Sequence, residues 1–137
     1  MAFGTVISPA MPFQITTQPG FLRVVITGRL TREEVVAVGL AVREIEVESE
    51  RVPDRLTDVT GVEISELTGE DIQYFTRRRR EARYPNSFRN AIVAPQPAQY
   101  GYARMFQTLI DHPDITTQVF SDEAAAIAWL TAEARQR

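Results

Sequence analysis

Hydroxyls and carboxylates gather in one stretch, Asp58-Val59-Thr60-Gly61-Val62-Glu63-Ile64-Ser65-Glu66-Leu67-Thr68-Gly69-Glu70-Asp71. Thr68 stands where a helix is predicted to begin. A hydroxyl there can receive phosphate, because free amides and the helix dipole favour negative charge. The plainer chemistry is an N-cap, with Asp71 three residues on completing an imperfect capping box. Glu66, Glu70 and Asp71 would repel a phosphate, which favours the cap. Asp58 and Glu66 are two carboxylates near one strand end. Paired carboxylates do acid–base work when their pKa values are split. No nucleophile or second polar partner accompanies these two, so a structural or solvated role is expected.

Arg77-Arg78-Arg79-Arg80, followed by Arg83 and Arg89, is the strongest charge feature. Four consecutive arginines point around most of a helix rather than along one stripe. Arg77, Arg78, Arg80 and Arg83 are candidates for an anion patch facing phosphate, an acidic partner or a membrane surface. The plainer reading is a solvated face whose aliphatic stems cover the core edge, with Arg77 paired to Glu81 at i, i+4. His112 is the single histidine, so it builds neither a His-rich metal site nor a Ser-His-Asp triad; a surface turn is expected. Tyr100, Tyr102, Met105 and Phe106 open a third predicted helix and should be mostly core. Trp129 is expected at the rim of an apolar face. Tyr102, Phe106 and Trp129 are the candidate walls of an apolar-ligand pocket.

The elements that must position these residues belong to a short chain. Its 137 residues fit one domain and bury about two-thirds of the unfolded surface, so folding requires no disulfide or metal. There is no cysteine, which removes thiol catalysis and Cys-based zinc sites and suits a reducing cytoplasm. The net charge of −3 disfavours a general nucleic-acid binder. Every cation is arginine, which removes Schiff-base and P-loop lysine chemistry. The N-terminus lacks the basic and apolar regions of a signal peptide, and no apolar run spans a bilayer. A cytoplasmic protein without enzymatic activity, metal or cofactor is expected. Homodimerisation and peripheral membrane contact stay open.

Read in order, residues 1–10 are predicted to be an arm and residues 11–137 a single domain. Phe13–Thr17 and Phe21–Thr27, joined by the turn Gln18-Pro19-Gly20, form a hairpin. Thr31-Arg32-Glu33-Glu34 is a capping box opening a helix to about Glu48, with Val35, Val38, Val42 and Ile45 inward. Its acidic last turn, Glu44, Glu46 and Glu48, opposes the macrodipole and predicts fraying. Arg55–Val59 reads as a short strand ended by Gly61. A second helix runs from about Thr68 to Arg83, with Ile72 and Phe75, and Tyr74 as a further candidate, on a narrow apolar face. Ala91–Ala94 is a central strand, and Pro95 and Pro97 introduce the third helix. Thr117–Phe120 is the last strand, and Ser121 is predicted to cap a final helix packed through Ala124, Ile127, Ala128 and Leu130. This alternation implies an α/β fold: a mixed, mostly parallel sheet of about five strands with four helices.

That order and one motif resemble the STAS domain, the fold of anti-sigma-factor antagonists such as SpoIIAA. Those proteins carry a loop of the form Asp-Leu-Ser-Gly-Val-x-Phe-Ile-Asp-Ser-Ser-Gly. Here Asp58, Gly61, Val62 and Gly69 match by identity, Thr60 and Thr68 by type, and Glu66 is acidic where the family has Asp. Arg89-Asn90-Ala91-Ile92-Val93, Tyr102-Ala103-Arg104-Met105-Phe106 and the run from Val119 to Leu130 resemble a divergent SpoIIAA-like branch of bacterial proteins. The resemblance covers about residues 12–134. It implies a regulatory or scaffolding module that binds a protein partner near the start of the second helix, through Asp58, Thr60, Glu66, Leu67, Thr68 and Tyr74. Leu67 occupies the place of the family's phosphorylated serine, leaving Thr68 as the one candidate phosphoacceptor. Related lipid-holding folds imply the competing role, binding of a small apolar or lipid-like ligand.

Overall fold

The computed structural model describes residues 5–7, 13–110 and 112–132. Most of the predicted arm and the last five residues lie outside them. Six strands form one sheet whose spatial order is the sequence order. They are β1 (Thr5–Ile7), β2 (Phe13–Gln18), β3 (Phe21–Leu30), β4 (Arg55–Ser65), β5 (Phe88–Val93) and β6 (Ile115–Phe120). β1, β2 and β3 pair antiparallel, and β3 to β6 pair parallel. The extra strand over the predicted five is β1, which makes part of the arm a sheet edge.

Four helices complete the fold: α1 (Arg32–Glu48), α2 (Gly69–Glu81), α3 (Pro97–Leu109) and α4 (Glu123–Thr131). Parallel neighbours joined in the same direction by right-handed crossovers put their helices on one face. Strand alternation shows this. Leu22, Val24 and Ile26 of β3 pack under α1 with Val42, and Ile92 and Ala94 under α3 with Ala103 and Phe106. Phe21, Leu56, Ala91 and Val93 point to the other face, which α4 covers with Ala126 and Leu130. Burying each large aliphatic of these clusters contributes about 1.5–3 kcal/mol.

Several expectations change. β4 does not stop before Gly61 but continues to Ser65. Two register shifts interrupt its pairing with β3, so that Val25 faces Asp58 but Thr27 faces Gly61. The extra residue inverts the alternation, and Val59 and Val62 both face α1. Bulges of this kind erase the period-two signature of a strand. The Asp58 carboxylate closes the bulge by accepting the Thr60 N–H at 2.9 Å. At Gly61 a Cβ would lie 2.7 Å from Cγ2 of Thr27, so glycine is there for close approach and not to end the strand.

The last turn of α1 is held down instead of frayed, because Glu46 is buried and ion-paired there. The final helix is capped by Asp122, not Ser121, with the Ala125 N–H donating to its carboxylate at 3.0 Å. Its packed face is Ala126, Ile127 and Leu130, while Ala124 and Ala128 are exposed.

Candidate functional site

β4 delivers the chain to the start of α2, where the resemblance places a contact surface. The Glu66 N–H donates to the Leu30 carbonyl at 2.8 Å, extending the β3 pairing by one rung. The Glu66 carboxylate is ion-paired to Arg29. Leu67 then turns inward and is buried, so it anchors the loop and offers nothing to a partner, contrary to its expected place on the surface. Thr68 is an exposed N-cap. Its Oγ1 accepts the Asp71 N–H at 3.0 Å, and the Asp71 carboxylate accepts the Thr68 N–H at 3.0 Å. Both halves of the box form although Asp replaces the usual Glu. The N–H from Thr68 holds Asp71 below the ordinary carboxylate range, and Arg32, 3.0 Å away, adds to this.

Arg32 also stacks over Tyr74, its guanidinium carbon 5.0 Å from the ring centroid, with Arg78 5.8 Å from the same centroid. Tyr74 is thus an aromatic surface residue clamped by two cations. Thr60 is exposed, but its carbonyl and that of Val62 accept from the Gln99 amide at 3.1 and 2.8 Å. Gln99, absent from the sequence candidates, fixes the β4 bulge to the first turn of α3.

Beside α2 runs α3, and the two leave an open groove of about 490 Å³ lined by Gly69, Gln73, Arg104, Met105, Thr108 and Leu109. Met105 is 41% exposed there. It lines the groove together with Gly69, the first residue of α2.

The arginine run divides by direction. Arg77, Arg78, Arg80 and Arg83 are exposed; Arg78 approaches the Tyr74 hydroxyl at 3.5 Å and Arg80 donates to the Leu109 carbonyl at 3.3 Å. Arg79 turns inward to Glu46, with nitrogen–oxygen distances of 3.0 and 2.6 Å. Arg55 at 3.0 Å and Arg43 at 3.3 Å reach the same carboxylate. Burial pushes Glu46 up, but the Arg79 hydrogen bond and the charges of Arg55 and Arg79 outweigh it and hold the carboxyl below its ordinary value. Burial, with the charge of Arg79, draws Arg55 down.

Arg43 and Arg79 stack on Tyr84, with guanidinium carbons 5.3 and 5.5 Å from the ring, and burial raises the Tyr84 phenol. His112 meets the edge of Tyr84 and is fixed as a turn residue: its Nδ1 accepts the Asp114 N–H at 3.0 Å, so Nε2 donates to the Ala82 carbonyl at 2.8 Å. Sequence reasoning missed this cluster. The one available signal was Glu46 on the otherwise apolar side of α1, one residue after Ile45.

The predicted apolar pocket does not form. Phe106 packs under α3 against Ile92 and Ala94, whereas Trp129 lies on the α4 face with Phe120, ring centroids 5.6 Å apart. The sheet stands between them. Tyr102 is half-buried on α3. Among the described residues no group of three His, Asp or Glu side chains could hold a metal ion, and no helix is long and apolar enough to cross a membrane.

No family model matches the chain, and no curated protein matches it. Among solved structures it is similar to an uncharacterised protein of the DUF3478 family from Shewanella loihica PV-4, described as having a SpoIIAA-like fold. The TM-score is 0.57 at 17% identity, over 95% of this chain and 96% of the other. At that identity the likeness concerns architecture alone, and it agrees with the opening hairpin and the three strand–helix repeats: the chain has a SpoIIAA-like α/β fold.

Proposed function

We propose that this chain is a non-enzymatic regulatory or scaffolding module of STAS type, acting by protein–protein interaction at the surface shared by the start of α2 and the flank of α3. The observation that carries the reading is the α2–α3 groove. It is open, it has Met105 exposed within it, and it is bounded by the polar groups of Gln73, Arg104 and Thr108. An apolar floor with a polar margin is the anatomy of a small protein interface. The rigid cap at Thr68 and the Tyr74 clamp hold one bank of the groove in place.

A photo-crosslinking amino acid at Gln73 or Met105 tests the proposal in cells of the native host. One partner recovered from both positions, and not from exposed Thr116 on β6, supports it. Equal recovery from Thr116, or a partner that survives Met105→Glu unchanged, overturns it.

A further inference from the structure

Five large apolar side chains are exposed among the described residues, and three of them lie on α1: Val36, Leu40 and Val47, at 37%, 63% and 67%. The opposite side of α1 is fully used, packing Val38, Val42 and Ile45 on the sheet. Helical geometry, about 100° per residue, puts Val36, Leu40 and Val47 on one outward stripe with Arg43 at its margin. Their spacing of four, then three and four through Arg43, is the a/d pattern of a two-helix seam.

The flanks of this stripe differ in charge. Glu33, Glu44 and Glu48 lie along one edge and are exposed; Arg32 and Arg43 lie along the other. Arg32 also binds Asp71 and stacks on Tyr74, and Arg43 also binds Glu46 and stacks on Tyr84, but each ion pair uses one terminal nitrogen of a group with five N–H donors. The side chain of Arg32 is 54% exposed and that of Arg43 38%.

We propose that α1 is a homodimer face on which two copies pair their α1 helices parallel, about a two-fold axis running along the seam. A two-fold along the helices brings the acidic edge of one copy against the basic edge of the other, Glu33 beside Arg32 and Glu44 beside Arg43, twice over. A two-fold across the helices brings acid against acid and arginine against arginine, which costs free energy at each pair. The occupant is therefore a second copy of this chain and the direction is set by charge. Gly39, on the seam's basic side with open space around it, permits close approach of the backbones. A single helix pair is a small interface, so the dimer dissociates on dilution.

Sedimentation velocity over a range of concentrations, together with thiol crosslinking, tests this. The chain has no cysteine, so Val36→Cys and Val47→Cys each introduce one thiol. The two sites lie about 16 Å apart along the helix. In the parallel dimer each is linked to its own counterpart by a short bis-maleimide; an antiparallel pair links one of them at most. Leu40→Glu weakens the dimer by at least about tenfold, and Glu44→Arg, placed beside Arg43 of the second copy, weakens it too. Circular dichroism of both variants should match that of the parent, since both positions are exposed. A monomer at every concentration overturns the proposal, as does a dimer indifferent to Leu40→Glu. A dimer tightened by Glu44→Arg overturns the parallel direction.

Discussion

Arg79 and Glu46, separated by 33 positions, meet through two hydrogen bonds in which both terminal guanidinium nitrogens reach both carboxylate oxygens. With Arg55 and Arg43 on the same carboxylate, three cations share one anion whose side chain is 1% exposed. Removing the anion leaves three guanidinium groups facing one another. Glu46→Gln is expected to lower unfolding free energy by about 3–5 kcal/mol. Arg55→Met leaves the acid with two partners and fills the space with an apolar chain, so it should cost clearly less. Urea unfolding of the two variants checks the order; equal losses would show that the cluster does not act through its charge balance.

Acid should act on the same cluster. The folded Glu46 carboxyl sits below its ordinary value, so its contribution is fully present above about pH 4.3, the ordinary glutamate value. It is lost as pH falls through the lower folded value. Stability is expected to decline below about pH 4.3 in the parent, and less steeply in Glu46→Gln. Thermal melts of the pair between pH 3 and 6, on the order of half-unit steps through that range, measure the difference in slope.

Thr68 is a cap by geometry, with both bonds of the box formed. Thr68→Ala should lower stability by about 1 kcal/mol, while Thr68→Ser, which keeps the capping oxygen, should leave it unchanged or slightly raised. If Thr68→Ala leaves stability untouched yet abolishes the crosslinks from Gln73, the hydroxyl serves the partner and not the helix.

Gly61 is fixed by a neighbour. Gly61→Ala drives a methyl into Thr27 and should cost about 1–3 kcal/mol. Thr27→Ser removes the offending Cγ2 and keeps the hydroxyl, so the double variant should recover most of the loss. Denaturation midpoints of the four proteins in the cycle give the coupling.

Where local chemistry decided the outcome, the residues announced it. The capping boxes at Thr31 and Thr68, the Gln18–Gly20 turn and the order of strands and helices are all visible without coordinates. Non-local pairing was not. Gly61 looks like a stop because its reason for being glycine, Thr27, lies on another strand. Glu46 looks like a liability to its own helix because the arginines that hold it come from β4 and α2 as well as α1. Phe106 and Trp129 looked like partners because periodicity does not say which face of a sheet a helix will cover. The α2–α3 groove, likewise, arises from the spacing of two helices that no single stretch encodes.

A sheet whose spatial order repeats its sequence order also has a history in synthesis. Each strand, as it leaves the ribosome, finds its hydrogen-bonding neighbour already made, so contacts stay short-range for a parallel sheet and assembly can proceed in one direction. Only one face is completed along the way. Leu56, Ala91 and Val93 wait uncovered until Glu123–Thr131 emerges. The nascent chain is therefore most vulnerable to aggregation just before its last helix, and a chain truncated at Phe120 carries that exposed apolar floor permanently.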